Sequence, residues 1–150
     1  MDARELFCRA RDAAVAIRDH GDRVSERREL AVMHARPSGP TGKGWLSDPS
    51  RRVDSLIDFD TRFRDGLSGY LDDIMAAYRV LKGLASIDPT GCSVLSMRYF
   101  KLMRWRDISE RTGFGYERLR EIESVAFDRI DSEGFSAISG GELRGTGAES

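Results

Sequence analysis

Apolar residues in this chain recur at three- and four-residue steps, and no stretch alternates apolar with polar as a half-buried strand would. That pattern points to an all-α fold. In residues 1–36, Leu6, Ala10, Ala13, Ala14 and Ile17 fall on one face with Arg and Asp between them, as an amphipathic helix requires. Gly21 is expected to bend or end that helix, with Val24, Leu30 and Met33 continuing it or starting another. Residues 37–52 are rich in Pro and Gly and read as a linker. Trp45 within it either anchors the linker to a groove or stands exposed.

Residues 53–87 predict one long helix. Asp60, Leu67, Ile74 and Leu81 are spaced by seven, and Phe63, Tyr70, Leu71, Tyr78 and Leu84 fill the positions between. The stripe is expected to pack on the first helix within one chain. A dimer seam is the alternative, but Asp60, Gly66 and Gly69 make a poor zipper. The expected architecture is a helical hairpin or coiled-coil-like arm, followed by a C-terminal helical module at 88–130. The glycine-rich residues 131–150 are expected to be disordered.

Composition narrows the function classes. Leu, Ile, Val and Phe supply 34 of 150 residues, enough for one core but not for a large multilayer enzyme. With 24 basic and 25 acidic residues the net charge is −1, which excludes nucleic-acid binding by bulk charge and leaves only a local patch. Two distant cysteines, Cys8 and Cys92, and two histidines, His20 and His34, match no zinc spacing and no disulfide framework. The cysteines are expected to be buried small hydrophobes, the histidines solvent-facing. The segment "SGPTGKG" is too short for a phosphate loop, with Gly44 where a hydroxyl residue should bind magnesium. No catalytic residues, metal or cofactor are expected. The charged start and the lack of a membrane-length apolar run predict a cytoplasmic protein without membrane contact.

The sharpest signal lies in 88–130. Asp88-Pro89 is a helix start, with Asp as cap and Pro at the first helical position. The helix it opens should carry Val94, Leu95, Met97 and Tyr99 or Phe100, and break at "KLMR". A short helix follows from Trp105 to Thr112, and Gly113 closes it in the left-handed conformation. The last helix, 116–130, has Leu119, Ile122, Val125, Ala126 and Ile130 as its apolar face. Ile108 as anchor, Ser109 as the small residue of close approach, and Leu119 and Ile122 six and nine positions after Gly113 make helix-turn-helix spacing. Trp105 and Tyr99 are expected to be packing residues. Tyr116, Glu117, Arg118, Arg120, Glu121 and Ser124 are left pointing outward, where a helix in the major groove would reach base edges. Arg can grip guanine and Glu can accept from cytosine N4. One arginine is expected to read a base and the other to hold phosphate, with Arg104 and Arg106 as further phosphate contacts. Residues 98–130 hold eight Lys/Arg against six Asp/Glu, so the segment is only mildly basic.

"RYFKLMRWRDISERTGFGYERLREIESVAFDRI" resembles region four of bacterial primary sigma factors, most densely at Glu117, Arg118, Leu119, Arg120, Ile122, Glu123 and Ala126. The resemblance implies that the start of the last helix contacts DNA. Tyr116 and Glu121 depart from the Arg and Gln common there, which implies a different base preference, and Gly115 replaces the usual Ser or Thr cap. With "IDPTGCSVLSMRYF" before it, the chain is similar to phage late-gene regulators of the ArpU and RinA type. That resemblance implies a sequence-specific transcription regulator binding double-stranded DNA, and the mild basic balance favours a homodimer or a partner such as RNA polymerase. The alternative is a structural or packaging protein like a small terminase subunit, although there the DNA-binding element usually precedes the oligomerising helices.

Overall fold

The computed structural model describes residues 1–34 and 49–139. In chain order these form α1 (Ala3–His34), α2 (Pro49–Ile87), α3 (Pro89–Leu95), a π-helical turn (Ser96–Phe100), α4 (Trp105–Thr112), α5 (Tyr116–Glu133) and α6 (Phe135–Ser139). The fold is all-α, with no strand among the described residues. No helix among them is long and apolar enough to cross a membrane. The side chain of His34, Trp45, the "SGPTGKG" loop and residues 140–150 lie outside the described part.

The chain divides into two units: residues 1–15 with everything from Tyr70 onward, and residues 16–69. Within each, a stretch of α1 packs on a stretch of α2, the expected hairpin pairing. In the larger unit, Asp2 caps α1 by accepting the Glu5 backbone N–H at 2.7 Å. Leu6, Ala10 and Ala13 are buried. Leu6 and Ala10 join Ala77, Val80, Leu81 and Leu84 of α2, Leu95, Tyr99, and Ala126, Phe127 and Ile130 of α5 in one core. Phe7, fully buried, is the hub. Its ring lies 5.7 Å from Tyr99, 6.1 Å from Phe100 and 5.6 Å from Phe127, at the tilted and edge-on angles aromatic quadrupoles favour.

The smaller unit is built differently. None of its described side chains is fully buried. His20, expected to face solvent, instead stacks on Phe63 at 3.7 Å and Phe59 at 5.1 Å, with Nε2 3.7 Å from Asp60. Arg23 and Arg27 cover Phe59 at 5.1 and 5.0 Å. Histidine presents a flat apolar body as well as polar nitrogens, so two phenyl rings can claim it.

Several other expectations are corrected. Gly21 does not end α1, which continues to His34; it costs only about 1 kcal/mol relative to Ala, and neighbouring turns absorb that. α2 begins at Pro49, so residues 49–52 belong to the helix rather than the linker, proline being suited to a first helical turn. Along α2 the buried line is Ala77, Val80, Leu81 and Leu84, while Leu71 and Tyr78 are exposed and Ile74 is half-buried. A straight helix drifts off a strict seven-residue repeat, so the stripe does not stay on one face. Cys8 is exposed. Cys92, half-buried, donates its S–H to the Leu81 carbonyl at 3.4 Å.

The expected disordered tail is also corrected over 131–139. α5 runs on to Glu133, and Asp131 accepts the Ala3 backbone N–H at 2.8 Å. Gly134 turns the chain with φ +80, and α6 lays Ile138 and Phe135 against the core. Gly83 makes that docking possible, because a Cβ there would run into the Ile138 carbonyl and side chain.

Two substitutions test this core. Phe7→Ala should lower unfolding stability by about 3–5 kcal/mol in urea titrations, as for other large-to-small changes at buried aromatics. Gly83→Ala should cost about 1–3 kcal/mol by overpacking. Its amide exchange should accelerate specifically across residues 135–139 as α6 is pushed off.

Candidate nucleic-acid interface

The helices of residues 88–130 start and stop where Asp88-Pro89, "KLMR" and Gly113 predict. Asp88 caps α3, its carboxylate accepting the Gly91 N–H at 2.9 Å. The π-helical turn ends at Phe100, and "KLMR" breaks the helix with Leu102 at φ +57. Arg98 holds the break by donating from its guanidinium to the Met103 carbonyl at 3.1 Å. α4 then ends at Gly113, whose φ of +79 and ψ of 0 are the left-handed geometry a glycine accepts without strain. Its N–H returns to Ser109 O at 2.9 Å. The Ser109 hydroxyl donates to the Phe114 carbonyl at 2.7 Å, so this serine fastens the turn directly. Val94, Met97, Ile108, Leu119 and Ile122 form a second core beneath α4 and α5, flanked by Met103 and Trp105.

α5 presents Tyr116, Glu117, Arg118, Arg120, Glu121 and Ser124 as exposed residues in its first turns. Around the helix, Glu117, Glu121 and Ser124 lie opposite Leu119, while Arg118 and Arg120 fall on opposite flanks. Arg118 is 58% exposed and pairs with Glu121 at 2.9 Å. Arg120 is held from below. Its guanidinium lies 3.0 Å from Oε2 of Glu123 and 5.6 Å from the centre of the Trp105 ring. Arg98 lies 4.9 Å from that ring, and Tyr116 meets it edge-on at 6.2 Å. Burial lowers the Arg98 pKa from its ordinary value.

Glu123 was not foreseen as buried, yet it is 1% exposed. Tyr99 donates its hydroxyl to Oε1 at 2.6 Å. Oε2 faces Arg120 at 3.0 Å and Arg4 at 3.8 Å, though with ion-pair rather than hydrogen-bond geometry. Burial first, and then the bond to Glu123, push the Tyr99 phenol up. The available signal was positional: Glu123 sits four residues after Leu119 and three before Ala126, on the buried stripe. Val125 was placed on that stripe but is 41% exposed, and Phe127 takes the buried position instead.

Arg104 occupies the position before α4 and is exposed; Arg106, 79% exposed, reaches only loosely toward Asp107 and Glu110 at 3.9 and 4.0 Å. Neither α4 nor α5 has a side-chain cap at its N-terminus, so the first backbone N–H groups of both are open to solvent or an anion. Among the described residues no group of three or more His, Cys, Asp or Glu could hold a metal. No known family, curated protein or solved structure matches the chain.

The Glu123 network makes two measurable demands. Glu123→Ala strands the Tyr99 hydroxyl and should cost about 1–3 kcal/mol in chemical denaturation. Tyr99 also couples stability to alkaline pH. The unfolded chain gives up this phenolic proton near pH 10, whereas the folded chain keeps it to higher pH. Above about pH 10 the unfolded state therefore binds fewer protons, and stability falls as pH rises. Denaturation between pH 8 and 11 should show that loss in the parent protein and a shallower one in Tyr99→Phe.

Proposed function

We propose that this protein is a sequence-specific DNA-binding regulator that reads the major groove with the N-terminal half of α5. The observation that carries the reading is the supported ridge: α5 follows a left-handed Gly113 turn, is anchored by Leu119 and Ile122, and leaves Tyr116, Glu117, Arg118, Glu121 and Ser124 exposed. Arg118 is suited to a guanine edge once it exchanges Glu121 for a base, and Glu117 or Glu121 to a cytosine amino group. Arg104, Arg106 and the open N–H groups of α4 and α5 are suited to phosphates. The resemblance to sigma region four and to phage late-gene regulators adds a transcriptional role, with RNA polymerase as a further partner.

The two arginines now have different roles. Arg120 spans Trp105 and a buried carboxylate, so its removal weakens the module as well as any DNA contact. Arg118→Ala is therefore the clean test.

Selection of bound fragments from genomic DNA, followed by footprinting, should yield one enriched site. Arg118→Ala should lose about 1–3 kcal/mol of binding at that site while keeping its helicity. Affinity should fall with salt at about 0.9 log units per phosphate neutralised, and Arg106→Ala should reduce that slope by about one contact while leaving sequence preference alone. Absence of any enriched site would overturn the proposal. A large ring on a sizing column in its place would favour the packaging reading.

A further inference from the structure

The outward face of α2 carries an apolar stripe that none of the described residues of the larger unit covers. Leu71, Met75 and Tyr78 follow one another at helical spacing and are 47%, 49% and 49% exposed. Tyr78 leans edge-on against half-buried Phe100 at 6.2 Å, which extends the patch sideways. Lys82 closes the stripe one turn further on. Soluble proteins scatter single apolar residues over their surface, but a contiguous row on one helix face signals a contact.

Two charges flank the row on the same side, Asp72 and Arg79. The neighbouring Asp73 is paired with Arg9 at 2.8 Å, yet neither Asp72 nor Arg79 has an ion-pair partner among the described residues. Seven residues apart, they are separated by about 10 Å along the helix and cannot pair with each other.

We propose that this face docks a second copy of the same chain, with the two α2 helices antiparallel about a two-fold axis at Met75. Antiparallel pairing brings the same flank of both helices together, whereas parallel pairing would bring opposite flanks together. With the axis at Met75, Met75 meets its own copy, Leu71 faces Tyr78 of the second chain, and Asp72 faces Arg79 of the second chain twice over. The stripe is thus complementary to itself in shape and charge, as an isologous interface must be. Three apolar residues per chain place it below the roughly 1,200 Å² of a standard interface, so the dimer is weak and reversible. This inference does not depend on the DNA-binding reading and is tested without DNA.

Sedimentation of the full chain across a micromolar to millimolar range should reveal a monomer–dimer equilibrium. Met75→Glu should weaken it by roughly tenfold or more, since it sets two carboxylates against each other on the axis. Asp72→Arg and Arg79→Asp should each weaken it, and the double swap should restore it. Circular dichroism of every variant should match the parent, because all three positions are solvent-exposed. A chain that stays monomeric throughout, a larger oligomer, or a dimer indifferent to Met75→Glu and to the charge swaps would overturn the proposal.

Discussion

A single buried carboxylate ties the helix-turn-helix to the rest of the larger unit. Glu123 sits on the inner stripe of α5, where a charge is costly unless its oxygens are compensated. Tyr99 from the π-helical turn, Arg120 from α5 and Arg4 from α1 supply that compensation. Tyr99 and Arg120 are thereby oriented. The Tyr99 ring, held by its hydroxyl, packs edge-on to Phe7 and Phe127. Arg120 is drawn down against Trp105, which lies beside the second core. A hydrocarbon at 123 would fill the space but would fix none of these orientations.

That junction explains why the exposed ridge can be both stiff and adaptable. Arg120 has a buried charge on one side and an indole on the other, so little of its freedom remains to be lost on binding. Arg118 has only an exposed partner, Glu121, and solvent competes for both. A pair of this kind opens cheaply, as the proposed exchange of a carboxylate for a base edge would require. Spacing two arginines by two residues on a helix puts them on different flanks; it is the burial of Glu123, not the spacing, that gives them different work.

Much of the 88–130 module was legible because its decisive residues act locally. Asp88-Pro89 and Gly113 impose backbone geometry on their immediate neighbours, and they do so whatever packs around them. The roles of Phe7, His20 and Glu123 are tertiary and left weaker traces. Phe7 adjoins the predicted stripe of Leu6 and Ala10, and only the arrival of Tyr99, Phe100 and Phe127 from distant segments makes it the hub. His20 is polar by type and becomes a stacking partner only because α2 brings Phe59 and Phe63 beside it. The tail misled for a related reason. Phe135 and Ile138 are sparse among glycines, but Gly83 opens a slot on α2 that two apolar residues suffice to fill.

The α2 face and the α5 ridge answer one another's weaknesses. The ridge is only mildly basic and carries Glu117, Glu121 and Asp128 along its outward side, so a single copy has limited electrostatic hold on phosphate. The α2 stripe is too small for a tight dimer alone. Two weak contacts become strong when each raises the effective concentration of the other. A duplex bearing two half-sites would recruit the second copy, and the second copy would hold the first in place. On the proposed reading, affinity would depend on both half-sites being present, and the acidic residues that weaken each ridge would suppress binding to unrelated DNA. A more basic helix would bind a lone half-site well and would lose that discrimination.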